Sequence, residues 1–369
     1  MEIAPFEIER FYERWEFTAE LMLSSSDCES RPLSELLALE PDAAERLHGL
    51  HLGYTEVPGS EELRLAIASL FDACGPEDVL ALAAAEEGIF IAYHGLVGPG
   101  DHVVVEWPCY GSAVELARST GAEVSLWERR YEDGWAHDEE QLERLVGPRT
   151  KLIYINSPHN PTGTQMSRAT FERVIELARG QGAALFSDEV YRLLEHNEAD
   201  RLPPVSDVYE RGISLNTVSK SYGLPGLRIG WVVCRDRQLL DRMREIKLYT
   251  TICSSAPSEL LVALALRHSE EIVQRSRRLL EGNLPLLEAF LARRAETFEW
   301  IAPSAGPIGF PLIRGIEDVT AWCERIATDA GVLLLPGSVY GQPGHVRMGY
   351  GRARIAEAIE RLETYLDRS

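Results

Sequence analysis

The stretch Ile213-Ser-Leu-Asn-Thr-Val-Ser-Lys-Ser-Tyr-Gly-Leu-Pro-Gly-Leu-Arg-Ile-Gly-Trp231 places a lysine in a glycine-rich turn between two apolar runs. The runs, Ile213–Val218 and Ile229–Cys234, have the length and β-branching of buried strands. Lys220 sits where the first run ends, and Arg228 follows eight residues later, just before the second. An amine beside hydroxyls, glycines and a guanidinium suits two tasks, forming an imine with an aldehyde and holding that aldehyde's phosphate. On its own, a lysine in such a turn is a solvated cation. Its meaning depends on what the rest of the chain brings to it.

Working back from this turn, short apolar runs alternate with helical patterns. Strands are predicted at 79–83, 102–106, 122–127, 151–155 and 183–186, with helices at 86–96, 111–119, 139–146 and 171–179 between them. Such alternation means βαβ crossovers and a mainly parallel sheet buried on both faces. Further back, Ser60 offers a helix cap after the Pro58-Gly59 turn, and residues 6–23 carry apolar residues at helical spacing. Residues 24–30 read as a loop. Beyond Arg235 the pattern changes to helices at 237–247, 256–268 and 269–293, then short strands with helices at 318–327 and 352–366. The chain therefore divides into an N-terminal arm (1–41) packing with the small domain, a large domain (42–260) and a small α+β domain (261–369).

Composition narrows the functional classes. A chain of 369 residues, 45% hydrophobic, exceeds one compact core. Lys and Arg total 37 against 58 Asp and Glu, a formal net charge of −21, which argues against nucleic acid and anionic membrane surfaces. An anionic ligand must therefore be held by locally placed donors. The six cysteines form no CxxC pair and no metal-ligand spacing, so they read as reduced thiols of a cytoplasmic protein without a metal site. Neither a signal-peptide pattern nor a membrane-length apolar run is visible. No GxGxxG follows an early strand, which disfavours a dinucleotide-dependent oxidoreductase. A DNA-binding regulator lacks the basic extension it needs.

In an open parallel sheet, ligands bind beyond the carboxyl ends of the strands. Those ends carry Trp107-Pro-Cys-Tyr110, Asn156-Ser-Pro-His-Asn-Pro-Thr-Gly163, Ser187-Asp-Glu-Val-Tyr191 and Lys220. Each alone is an ordinary turn or cap. Four together point to one site.

On Asn156–Gly163, Asp188–Tyr191 and Ser219–Gly230, the chain resembles the class I/II aminotransferases, fold-type I pyridoxal 5′-phosphate enzymes, from about Leu50 to its end. The resemblance implies a large domain with a mainly parallel seven-stranded sheet covered by helices on both faces, plus the smaller α+β domain. It implies that Lys220 forms a Schiff base with the cofactor and shuttles a proton, and that Asp188 meets the pyridine nitrogen. Asn160 and Tyr191 would donate to the ring oxygen, with Asn160 also on the substrate side, and Tyr110 would stack on the ring. Thr217, Ser219, Arg228 and the N–H groups of Ala85 and Glu86 would hold the phosphate. Family members often have Gly-Ala-Ser or Gly-Ala-Thr where this chain reads Ala84-Ala-Glu-Glu-Gly88, so the Glu86 side chain is expected to turn away. Arg347 would clamp the substrate carboxylate, and Ser26 lies where substrate-side residues fall. Tyr54 would reach a partner subunit's phosphate, implying a homodimer with shared sites. The implied activity is ping-pong transfer of an amino group from an amino acid to a 2-oxo acid. The alternative is a lyase or cyclase on the same cofactor, because Ser24–Ser26 is similar to the capreomycidine synthase branch, which cyclises hydroxyarginine.

Overall fold

A computed structural model describes residues 2–368. Seven strands form the central sheet: β1 (Val79–Leu82), β2 (His102–Trp107), β3 (Glu123–Glu128), β4 (Thr150–Asn156), β5 (Ala184–Asp188), β6 (Gly212–Thr217) and β7 (Gly230–Val233). Their spatial order is β1-β7-β6-β5-β4-β2-β3. Strand β7 runs antiparallel to β1 and β6, and every other pairing is parallel. The Lys220 turn is thus a hairpin-like return from β6 to β7, whereas the other strands are joined by helical crossovers.

The two-sided burial follows from strand periodicity. Val103, Val105, Leu152 and Tyr154 enter one core with Ile89 and Met243. Val104, Ile153 and Ile155 enter the opposite one with Phe171 and Val174. Successive residues of one strand therefore feed opposite layers, each buried Val or Ile contributing roughly 1.5–3 kcal/mol. Ser60 caps the helix Glu61–Ala68, its Oγ accepting from the Leu63 N–H at 3.4 Å.

The small lobe hangs on the helix Ser269–Arg293. Its strand Val346–Gly349 pairs with Ile308–Gly309 and Leu335–Pro336, and the helices Val319–Asp329 and Ile355–Leu366 pack on them. The predicted N-terminal helix is corrected here. It covers only Glu7–Trp15, and Leu21–Met22 is instead a strand, parallel to Val332–Leu333. The N–H groups of Glu20 and Leu21 donate to Gly331 O, so sheet pairing with a distant segment overrides the helical pattern. The next loop is pressed onto the small lobe. A Cβ on Gly349 would lie 1.9 Å from Ser25 O, and one on Gly351 2.2 Å from Asp27 O. That contact carries Ser25, Ser26 and Asp27 to the carboxyl ends of the central strands.

Candidate active site

A cavity of about 310 Å³ opens at the carboxyl ends of β4, β5 and β6, closed over by the N-terminal segment. The chain has three lysines, Lys151, Lys220 and Lys247. Lys247 is buried elsewhere, donating to Thr251 Oγ1 at 2.6 Å and lying 3.7 Å from Glu87. Lys220 is the one on the cavity wall, where its Nζ donates to Ser26 Oγ at 2.8 Å. Burial, with no carboxylate in ion-pair range among the described residues, lowers its pKa. A partly buried amine of lowered pKa is ready to act as a nucleophile and base.

Asp188 ends β5 on the same wall. It accepts from the Tyr154 hydroxyl at 3.0 Å and the Val190 N–H at 3.2 Å, and burial pushes its carboxyl up to about 6. A buried carboxylate lacking a cation suits a ligand that brings one. The adjoining loop is fastened from beneath. Asn156 donates through Nδ2 to Asp188 O at 2.9 Å and accepts the Asn160 N–H at 2.7 Å. Its own N–H donates to Glu106, a buried carboxylate held by Arg129 at 3.0 Å and His137 at 2.8 Å. The Asn160 side-chain oxygen accepts from Tyr340 and Arg347, both at 3.1 Å. The hydroxyl of Tyr191, beside Ser26, is buried and makes no hydrogen bond of its own.

The other end of the cavity is rich in donors. Thr217 and Ser219 hydroxyls lie 3.0 Å apart. Arg228 adopts a left-handed conformation, φ 52°, and has no carboxylate within 4 Å among the described residues. The first turn of the helix Ala85–Leu96 faces the same space, its leading N–H groups lacking intrahelical acceptors. Gly230 makes this approach possible, since a Cβ there would lie 2.8 Å from Ala84 C and 2.9 Å from Ala85 N. The Glu86 side chain turns to Ser112, whose hydroxyl donates to it at 3.0 Å, yet it stays on the cavity wall. Burial, reinforced by Glu9 and Asp188, pushes its carboxyl up to about 7.

Tyr110, Arg347 and Tyr54 occupy three different settings. Tyr110 lines the cavity, its ring edge-on to Phe6 at 4.9 Å and its hydroxyl donating to Glu9. Arg347 lies behind the wall, 1% exposed. It donates to Ser24 O at 2.9 Å, to Asn160 and to the hydroxyls of Tyr12 (2.5 Å) and Tyr340. Tyr54 is 95% exposed and outside the cavity of its own chain. Sequence reading missed Tyr12, Tyr154, Tyr340 and the Asp27–Arg352 ion pair (2.8 Å). Tyr154 stood two residues before the Asn156 motif and was findable by strand period; the others carried no local signal.

A seven-stranded sheet of this order, with a lysine and a buried aspartate on one cavity and helix-terminal donors beside them, defines a fold-type I pyridoxal-phosphate enzyme. The chain belongs to the family "Aminotransferase class I and II", whose profile matches residues 19–362. It is 32% identical over 367 residues to capreomycidine synthase of Streptomyces vinaceus, covering 95% of this chain and 91% of that one. A PLP-dependent aminotransferase from Streptococcus suis 89-1591 superposes with a TM-score of 0.94 at 34% identity, covering 100% of this chain and 99% of its own. The PLP-dependent cyclase OrfR, solved in complex with Au, superposes at 0.91 with 27% identity and coverages of 100% and 99%. The cofactor is pyridoxal 5′-phosphate. The cavity fits it on this chain's own features: an unpartnered Tyr191 hydroxyl, an Arg228 without a carboxylate, and helix N–H groups bared by Gly230. No helix among the described residues is long and apolar enough to cross a membrane, and no metal-binding cluster occurs among them.

Proposed function

We propose that this protein transfers the amino group of an amino acid to a 2-oxo acid in a ping-pong cycle. The observation that carries the reading is Lys220, the one lysine on the cavity, partly buried on the same wall as Asp188. Pyridoxal phosphate, when bound, supplies an aldehyde that accepts amino groups and a ring that draws electrons from Cα. Thr217, Ser219, Arg228 and the N–H groups of Ala85 and Glu86 would hold its phosphate, Asp188 would face its ring nitrogen, Asn160 and Tyr191 would donate to its ring oxygen, and Tyr110 would cover the ring. Arg347 exchanges the Ser24 carbonyl for the substrate carboxylate, which its planar fork matches better than a carbonyl does. Ser26 would release Lys220 Nζ, whose neutral amine would be the base that takes the proton from the substrate Cα. Water is kept out by the loop that Gly349 and Gly351 fasten.

We further propose a cytoplasmic homodimer in which the exposed Tyr54 completes the partner's phosphate site, on the division 1–41, 42–260 and 261–369. A second reading, a lyase or cyclase on the same cofactor, draws support from the likeness to capreomycidine synthase and to OrfR. One assay separates them. Purified protein is incubated with a panel of amino acids, with and without a 2-oxo acid. The proposal predicts a keto product that forms catalytically only when the 2-oxo acid is present. A ring product or eliminated substituent formed without any acceptor contradicts it and favours the second reading.

A further inference from the structure

Behind the donor-rich end of the cavity lies a pair of buried charges that the proposed chemistry does not use. Glu87, in the first turn of the helix Ala85–Leu96, is buried and stands off the cavity wall. Its Oε2 accepts the Ala83 N–H at 2.6 Å, and its Oε1 accepts the hydroxyls of Thr250 and of Thr251, the latter at 2.7 Å. Lys247, fully buried at the end of the helix Arg237–Lys247, donates to Thr251 Oγ1 at 2.6 Å and lies 3.7 Å from Glu87. Both carboxylate oxygens are therefore engaged by donors, and one ammonium offsets the charge.

The body of the helix is seated without this help. A Cβ on Gly88 would lie 2.6 Å from Leu215 Cδ1, and one on Gly95 3.0 Å from Arg242 O, so both glycines already press the helix onto its neighbours. What Glu87 adds is a hold on the turn before the helix. Ala84 in that turn has φ 70° and ψ 174°, a conformation that residues with a Cβ rarely adopt. Such a turn persists only where its surroundings fix it on both sides. Gly230 packs against Ala84 C, and Glu87 ties down the preceding N–H. The same turn brings Ala84, Ala85 and Glu86 onto the cavity wall.

We infer that Glu87 is a positioning residue for the phosphate of the cofactor. It fixes the Ala83–Ala84 turn so that the N–H groups of Ala85 and Glu86 are aimed before the ligand arrives, and Lys247 with the two threonines fixes Glu87. The inference rests on the phosphate placement proposed above and adds the group that preorganises it. Charge alone predicts the opposite sign. A carboxylate near a dianion repels it, so Glu87→Gln would tighten binding if Coulomb forces decided the matter. As a positioning group the amide fails, because it has one acceptor oxygen where the carboxylate uses two, and its NH2 must then face a donor.

Equilibrium dialysis of the apoprotein against pyridoxal phosphate and against pyridoxal, which keeps the aldehyde and ring and lacks the phosphate, separates these effects. For Glu87→Gln the Kd for pyridoxal phosphate is expected to rise about tenfold or more, the loss of one charge-assisted contact, while that for pyridoxal moves less than about twofold. The double variant Glu87→Gln/Lys247→Met leaves no buried ammonium unpaired and is expected to show the same loss. Thr251→Val, which keeps Glu87, is expected to give a smaller shift of the same sign and decides the matter should the glutamine variants not fold. Unchanged or tighter binding of pyridoxal phosphate, or equal losses for both ligands, overturns the inference. Unsubstituted protein that holds pyridoxal as tightly as pyridoxal phosphate overturns instead the phosphate placement beneath it.

Discussion

At Asp188 the demands of folding and of function oppose each other. Its carboxyl, pushed up to about 6 by burial, is stable in its neutral form, while its proposed task requires the anion. Because the folded pKa lies above the unfolded one, Asp188 costs the apoprotein stability as pH rises from about 4 through 6, and the full cost is present at pH 7. Asp188→Asn is expected to raise apoprotein stability at pH 7 by about 3 kcal/mol, with little gain at pH 4. Urea unfolding at the two pH values checks this, and equal gains at both contradict it. Arg347 presents the converse case, a charge whose partners are all neutral oxygens and amides. Arg347→Lys keeps the charge and loses the fork, so the amino-acid KM is expected to rise about tenfold or more while the Kd for pyridoxal phosphate stays unchanged. An unchanged KM removes Arg347 from the substrate site.

Among the elements, the helix Ala85–Leu96 and strand β7 depend on Gly230 to meet at the proposed phosphate end. Gly230→Ala puts a methyl against Ala84 C and Ala85 N at under 3 Å. It is expected to weaken pyridoxal phosphate binding at least tenfold by displacing that first turn, with a stability loss of about 1–3 kcal/mol. Equilibrium dialysis and thermal unfolding read the two effects, and unaltered cofactor affinity contradicts the placement. These elements were also the most legible in the sequence. Val103 to Val105 and Leu152 to Tyr154 alternate between two cores, so their strand period and burial are written locally. Strand ends bearing Asp188, Asn156 and Lys220 could be read for the same reason. Leu21 could not: its pairing with Val332 is set 311 residues away, and helical spacing there was misleading. Tyr12 and Arg352 were equally hidden, because each reaches the cavity through the packing of the N-terminal segment on the small lobe, and Tyr340 stands behind the wall on Arg347 and Asn160.

At the scale of the whole molecule, several large apolar side chains stand exposed. Tyr54 is 95% exposed, Leu52 79% and Tyr249 89%. These side chains are the ones the proposed second subunit would cover. If Tyr54 completes the partner's site, mixing Tyr54→Ala with Lys220→Ala subunits should restore activity, since one of the two sites in each hybrid then has both residues intact. Ultracentrifugation should show a dimer before mixing. Two inactive parents that remain inactive as hybrids contradict shared sites. The strongly acidic chain makes the donor-rich end of the cavity more informative, because in the proposed site Arg228 and the helix terminus would hold a dianion against a net charge of −21.

The account turns on Lys220 as the group that carries the cofactor, and three lysines make that claim directly measurable. The holoprotein is reduced with borohydride, digested, and its peptides weighed by mass spectrometry. The prediction is that the added mass of the reduced phosphopyridoxyl group falls on the peptide containing Lys220, and that Lys220→Ala yields no labelled peptide. Label on Lys151 or Lys247, or on no lysine of a protein that binds the cofactor, would contradict it.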